Sequence, residues 1–174
     1  MKKTLIILAH PNIEQSVGNK SWKEEAEKNT DVIIHNIYEV YPDGKIDIEK
    51  ELKLLKETGT LVLQFPMYWF NCPPLLKTWI DNVFMAAHYS DGEKILANKK
   101  IGLAVTTGGV KERYDGSYGV KFEDVLAPFR LSVNHLNAIN LPIHSLHGVM
   151  PGQIKEEEVL KSSKEYGEYL KNNI

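Results

Sequence analysis

The chain has 174 residues, 43% of them hydrophobic and 25% charged, which suits one soluble domain with a sizeable core and excludes a miniprotein or a disordered tail. Lysine and arginine (21) nearly balance aspartate and glutamate (23), and a formal net charge of −2 lacks the basic field of a nucleic-acid binder, so no nucleic acid is expected as a partner. The single cysteine, Cys72, excludes an intramolecular disulfide and a thiolate zinc framework, and fits a reducing, cytoplasmic setting.

The chain opens with Lys2-Lys3 and the apolar run Leu5 to Ala9, a superficial likeness to a signal peptide. His10-Pro11-Asn12 ends that run short of the ~7–15 residues a signal core needs and far short of the ~20 that cross a bilayer. Residues 3–9 instead predict a first strand, apolar throughout as in a sheet covered on both faces. A helix over about 17–28 follows, with Ser16 placed to cap it. Residues 31–38, shorter and more polar, predict a second strand at an edge, and residues 61–65 a third. Pro73-Pro74 then opens a helix whose Leu75, Leu76, Trp79, Ile80, Val83 and Phe84 make one apolar stripe. Residues 101–106 predict a fourth strand and 138–144 a fifth, weakened by Pro142. A last helix over about 154–170 crowds Glu156, Glu157 and Glu158 into its first turn and places lysines later, as the helix dipole favours. Residues 107–120 and 146–154 read as irregular, and no repeat or linker divides residues 1–174, so one domain is expected.

Strands alternating with helices predict an α/β fold with a five-stranded parallel sheet. The commonest arrangement is a doubly wound, flavodoxin-like order 2-1-3-4-5, which binds ligands outside the carboxyl ends of its strands, where strand order reverses. The loops after strands one, three and four should therefore meet at one crevice.

The first of them delivers His10, then Ser16, Val17, Gly18 and Asn19 to a helix start, where unpaired backbone amides hold a phosphate without help from lysine or arginine. The second is Pro66-Met67-Tyr68-Trp69-Phe70, three aromatics between prolines, suited to gripping a flat ligand. The third is Thr106-Thr107-Gly108-Gly109, followed by Tyr114 and Tyr118; its glycines let two amides approach negative charge developing on a heterocycle, with a tyrosine hydroxyl as a third donor. Each loop alone has an ordinary explanation: a helix cap, a hydrophobic patch or dimer surface, a flexible turn. Together they make an anion cradle, an aromatic wall and a rack of amides, which a phosphate-bearing planar redox ring such as flavin mononucleotide requires.

Ala9-His10-Pro11, Tyr41-Pro42-Asp43 with Ile46-Asp47-Ile48, Pro66 to Phe70 with Pro73 to Asp81, and Thr106-Thr107-Gly108-Gly109 resemble the flavodoxin-fold NAD(P)H:quinone oxidoreductases. The wording is similar to the short branch that includes general-stress oxidoreductases and ancillary oxidoreductases of glutathione-regulated potassium-efflux systems. The resemblance implies flavin contacts by His10 and Ser16 to Asn19 at the phosphate end, by Pro66 to Phe70 along the ring, and by Thr106 to Gly109 at the pyrimidine side. It implies FMN rather than FAD, because the chain lacks an obvious segment for an adenosine half. It also implies two-step hydride transfer from NAD(P)H through the flavin to a quinone-like acceptor, with Gly108, Gly109 and Tyr114 stabilising reduced-flavin charge. A homodimer with the site at its interface follows from the same likeness. Longer relatives place a histidine after that tyrosine; here Tyr118 follows and no histidine does.

His144 and His147 read as surface or capping residues, His35, His88 and His135 as surface or packing residues, and no metal site is expected. Cys72 reads as packing, and no nucleophile elbow supports a hydrolase. Two other readings compete. A one-electron carrier would need a hydroxyl-rich phosphate loop and a strongly acidic surface, which the first loop and the charge of −2 oppose. A flavin-binding regulatory subunit docked on a potassium-efflux transporter, peripheral at the inner face of the membrane, is not opposed by any residue.

Overall fold

A computed structural model describes residues 3–89, 94–150 and 152–173. Lys2 of the opening basic pair and Pro151 of the last irregular stretch lie outside them.

Five strands, β1 (Lys3–Leu8), β2 (Val32–Asn36), β3 (Thr58–Pro66), β4 (Lys100–Thr106) and β5 (Ile139–Leu146), pair in parallel in the order β2-β1-β3-β4-β5. Alternate side chains serve two cores, as the twofold period of a strand requires. Leu5, Ile7, Leu61, Leu63, Phe65, Leu103 and Val105 face one side, and Ile6, Leu8, Val62 and Ala104 the other. The second side is covered by α1 (Gly18–Ala26) and by the C-terminal α5 (Glu156–Asn173), through Trp22, Ala26, Tyr166 and Leu170.

The first side is covered by α2 (Ile48–Glu57), by a helix that begins as α3 (Pro74–Trp79), and by α4 (Ala127–His135). Apolar periodicity alone predicts neither α2 nor α4. Asp47 caps α2 by accepting from the Lys50 amide at 3.1 Å, and its buried contacts come from Leu55 and, against expectation for a charged residue, from Glu51. In α4, Pro128 stands in the first turn and Phe129 and Val133 form a short buried stripe. The stripe predicted after Pro73-Pro74 is buried, but the helix is not uniform: Pro74–Trp79 widens into a π-helical stretch at Ile80–Phe84 before Met85–Tyr89.

β3 is longer than expected because Thr58 ends α2, its hydroxyl bonding back to Leu54 O at 3.0 Å, and enters the sheet without a loop. Pro142 is accommodated because β5 is an edge strand, and the β4–β5 register slips between Ile101 and Leu103. Among the described residues, no helix is long and apolar enough to cross a membrane.

Candidate functional site

The carboxyl ends of β1, β3 and β4 open into a cleft of about 240 Å³ lined by residues of all three predicted loops, including His10, Ser16, Val17, Pro66, Met67, Tyr68 and Thr106 to Gly108. It is also lined by Gln15, Val149 and Met150, which sequence reading missed. The last two arrive because residues 147–150 fold back on the β4 loop: Gly148 N donates to Gly109 O and Val149 N to Thr107 O, each at 2.8 Å. Nothing short of that pairing, which is long-range, could have revealed them.

In the first loop, Ser16 Oγ accepts from the Asn19 amide at 3.1 Å, so the expected capping bond is present. The amides of Val17 and Gly18, just at the start of α1, have no acceptor among the described residues. His10 Nδ1 accepts from the Asn12 amide at 3.1 Å, which leaves Nε2 to carry the ring proton and donate. Burial pulls the His10 imidazole below its ordinary value. Asn19 departs from expectation. It is fully buried, and its side-chain amide donates inward to Thr106 Oγ1 at 2.8 Å, so it braces the cleft rather than facing it.

The aromatic loop is a tight hairpin. Tyr68 N donates to Asn71 O at 2.8 Å and Asn71 N to Tyr68 O at 3.0 Å, leaving Trp69 and Phe70 as the two turn residues at φ +47° and +63°. Two consecutive positive φ values mark a primed turn, ordinarily built from asparagine and glycine. Here it displays Trp69, 94% exposed, and Phe70, 49% exposed. The hairpin is tied to the neighbouring loop through Met67 N, which donates to Thr106 O at 2.8 Å.

In the third loop, the amides of Gly108 and Gly109 have no acceptor among the described residues. Neither position has room for more than glycine without movement: a β-carbon at 108 would lie 3.0 Å from Met150 Sδ, and one at 109 would lie 3.1 Å from the Tyr114 hydroxyl. Tyr114 thus stands over the glycine pair, its hydroxyl held by nothing stronger than Met67 Sδ at 3.9 Å. Tyr118 meets Phe70 and Tyr114 edge-on at 6.3 and 6.4 Å, closing the aromatic wall between the loops.

His147 is not the surface or capping residue expected. Its Nδ1 lies 2.9 Å from Thr107 Oγ1, and its ring packs on Tyr114 and Phe122 at 5.4 and 4.7 Å. Thr107 Oγ1 spends its one proton on Gly109 O at 2.8 Å, so His147 Nδ1 must donate, leaving Nε2 as an acceptor. Burial, then the Lys111 charge, keeps the imidazole below its ordinary value. A histidine therefore stands beside Tyr114 even though the loop that follows Tyr114 contains none; it comes from beyond β5. His144 likewise packs, half-buried, against Trp22 and Tyr166, and His35 bonds to the buried Glu51 carboxylate at 2.8 Å. Cys72 is buried and its thiol is pushed up to about 11 by burial. Among the described residues no group of three or more His, Cys, Asp or Glu is placed to hold a metal ion.

The donor set suits a flavin phosphate ester: neutral amides at a helix start, an aromatic wall, and paired amides with a tyrosine hydroxyl across from them. A family model described as flavodoxin-like fold matches residues 2–170. The chain is 36% identical to the uncharacterized NAD(P)H oxidoreductase YrkL of Bacillus subtilis, over 97% of this chain and 98% of the relative. It is 33% identical to the glutathione-regulated potassium-efflux system ancillary protein KefG of Pectobacterium carotovorum, over 97% and 92%. Among solved structures, general stress protein 14 of Treponema denticola in complex with FMN superposes with a TM-score of 0.91 at 42% identity, covering 99% of each chain.

Proposed function

Because the chain belongs to this flavodoxin-like family, we propose that it is an FMN-dependent NAD(P)H:quinone oxidoreductase. The observation that carries the reading is the convergence on one cleft of residues from two separate strand ends whose amides lack acceptors among the described residues, Val17 after β1 and Gly108 after β4, each followed by a glycine whose amide also lacks one. The FMN-bound structural neighbour and the NAD(P)H oxidoreductase relative support the same assignment. Bound there, FMN would supply two-electron hydride chemistry between NAD(P)H and a second substrate.

The chain's own residues supply binding, orientation and electrostatics. Val17 and Gly18 amides, with Ser16 and His10 Nε2, hold the phosphate end. Pro66 to Phe70 would hold the ring, and Thr106 and Thr107 its pyrimidine side. The Gly108 and Gly109 amides and the Tyr114 hydroxyl stabilise negative charge there. Trp69, Phe70 and Tyr118 offer flat apolar surface to a planar acceptor, for which a quinone is the simplest class.

The same exposed aromatics, with Met85, Tyr89 and Leu131 around an apolar groove of about 410 Å³, support a homodimer. The free, buried Cys72 supports a cytoplasmic setting. The test is spectroscopic. The purified protein should show flavin absorbance, release FMN on extraction, bleach anaerobically with NADH or NADPH and recover on addition of a benzoquinone. A protein that cannot be loaded with FMN or FAD overturns the reading.

The likeness to the potassium-efflux ancillary protein favours one second reading, a flavin-binding subunit that regulates such a transporter. It predicts tight co-purification with a membrane complex and negligible quinone turnover.

A further inference from the structure

We propose that a buried hydrogen-bond relay, running from Tyr166 on α5 through Gln64 on β3 and Asn19 on α1, fixes the Thr106 hydroxyl as a donor into the cleft. Asn19 and Gln64 are then positioning residues for whatever occupies it. The identity of that occupant as FMN rests on the flavin reading above; the relay itself does not.

The direction of every bond follows from one atom that cannot change its role. Gln64 Nε2 lies 3.0 Å from the backbone carbonyl of Asn19, and a carbonyl only accepts, so this end of the Gln64 amide is its nitrogen. The other end, Oε1, therefore faces the Tyr166 hydroxyl at 3.0 Å, and Tyr166 must donate. Gln64 Nε2 also lies 3.4 Å from Asn19 Oδ1, which fixes the Asn19 amide in turn and points its nitrogen at Thr106 Oγ1, 2.8 Å away. Thr106 receives that N–H and still owns one proton. No acceptor for it exists among the described residues, and Thr106 lines the cleft.

All four side chains lie in residues no more than 5% exposed, so water cannot substitute for a missing partner and reversing any link leaves a buried group unpaired. Small residues keep the line clear: a β-carbon on Gly18 would lie 3.0 Å from Thr106 Cγ2. The consequence is directional. The Thr106 hydroxyl has a proton to give, so the cleft there suits a lone-pair acceptor, such as a ring carbonyl, ring nitrogen or sugar oxygen.

Two measurements test this. In the ligand-free protein, the side-chain amide resonances of Asn19 should shift and exchange faster with solvent in Thr106→Val; unchanged resonances overturn the relay whatever the cleft binds. With FMN as the probe, affinity is read by fluorescence quenching in wild type, Asn19→Leu, Thr106→Val and the double variant, each checked for a cooperative thermal transition. Loss of the Thr106 donor should weaken FMN binding about tenfold, and Asn19→Leu about fivefold when Thr106 is present but less than about twofold in the Thr106→Val background.

Equal weakening by Asn19→Leu in both backgrounds means a merely structural role and overturns the proposal, as does no effect in either. Should Asn19→Leu not fold, Tyr166→Phe keeps the ring packing and removes only the far donor. It should weaken FMN binding about twofold to threefold with Thr106 present and not at all in the Thr106→Val background. A wild-type protein that takes up no FMN overturns the flavin reading alone, since the amide resonances still decide the relay.

Discussion

The Tyr169 hydroxyl occupies the space a β-carbon on Gly102 would need: that carbon would sit deep inside van der Waals contact with the oxygen, with Tyr169 Cζ at 3.3 Å and Leu141 Cβ at 3.4 Å. The hydroxyl is buried and bonds to nothing among the described residues. Gly102 is thus glycine for clearance on a central strand, where the residue ordinarily weakens a sheet. Gly102→Ala should destabilise by about 3 kcal/mol, the upper range for overpacking. Tyr169→Phe should be near neutral, because an unpaired buried hydroxyl contributes no bond to lose. In that background the cost of Gly102→Ala should fall by half or more, and urea unfolding of the four proteins reads the cycle.

On the opposite face, Trp79 Nε1 donates to Glu51 Oε2 at 2.7 Å, while His35 Nε2 and the Tyr41 hydroxyl hold Oε1. Glu51 is 0% exposed, so its carboxylate is stable only as the acceptor of this set. Burial alone would raise its titration, yet the bonds from His35, Tyr41 and Trp79 hold it below the usual value. A carboxylate with a depressed folded value contributes stability above its unfolded value of about 4.3, and that contribution is lost as pH falls through the folded value. Wild type should therefore lose stability below about pH 4 more steeply than Glu51→Gln. Glu51→Ala, which strands three buried donors, should cost about 3–5 kcal/mol by urea unfolding at pH 7.

The strands and the three cleft loops were legible because their signals are local: apolar runs for β1, β3 and β4, proline and glycine for the turns. What was illegible depends on pairing across the chain. Glu51 reads as one charge among several in a lysine- and glutamate-rich segment, and only the arrival of Trp79, 28 residues later, shows it to be core. That obscured α2, whose apolar residues Leu52 and Leu55 are flanked by charge. Asn19 stands beside Ser16 and Gly18, so it looks like a ligand contact; Gln64 and Thr106, distant in sequence, turn it inward. His147 reaches Tyr114, and Met150 the cleft, through β5 pairing, which no spacing encodes.

His144 packs against Trp22 at 4.7 Å and Tyr166 at 5.1 Å, and burial lowers its titration to about 4. The folded protein therefore keeps this imidazole neutral while the unfolded chain binds a proton below about pH 6.5. Stability must decline as pH falls from 6.5, and the decline levels off below about 4, where both states are protonated; it amounts to about 3 kcal/mol at most. In His144→Phe this part of the acid sensitivity should vanish. Urea midpoints at pH 7, 6, 5 and 4 check it, and parallel slopes for the two proteins would refute it.

Tyr114 places a hydroxyl at the Gly109 backbone, with the weak Met67 Sδ as its only acceptor among the described residues. A donor so lightly engaged is available to charge that develops during reduction rather than to the resting ligand. Tyr114→Phe should lower kcat for quinone reduction about tenfold while changing FMN affinity less than about twofold. Steady-state kinetics with saturating NADH or NADPH separate the two, and an equal loss in both quantities would make Tyr114 a binding residue only.

The Trp69-Phe70 turn runs against local preference. Each residue holds a left-handed backbone, which costs a side-chain-bearing residue about 1–2 kcal/mol, and Trp69 recovers little of it by packing because 94% of its surface is exposed. Replacing the pair by the sequence such a turn prefers, Trp69→Asn with Phe70→Gly, keeps the Tyr68–Asn71 hairpin bonds and should raise stability by about 1–2 kcal/mol. The same change removes two flat surfaces beside the cleft, so KM for a benzoquinone should rise about tenfold while FMN stays bound. Strain kept only for stability would predict the reverse: a weaker fold with unchanged kinetics. Thermal unfolding and quinone kinetics on one preparation of the double variant therefore decide whether the chain holds Trp69 out of the core for its substrate.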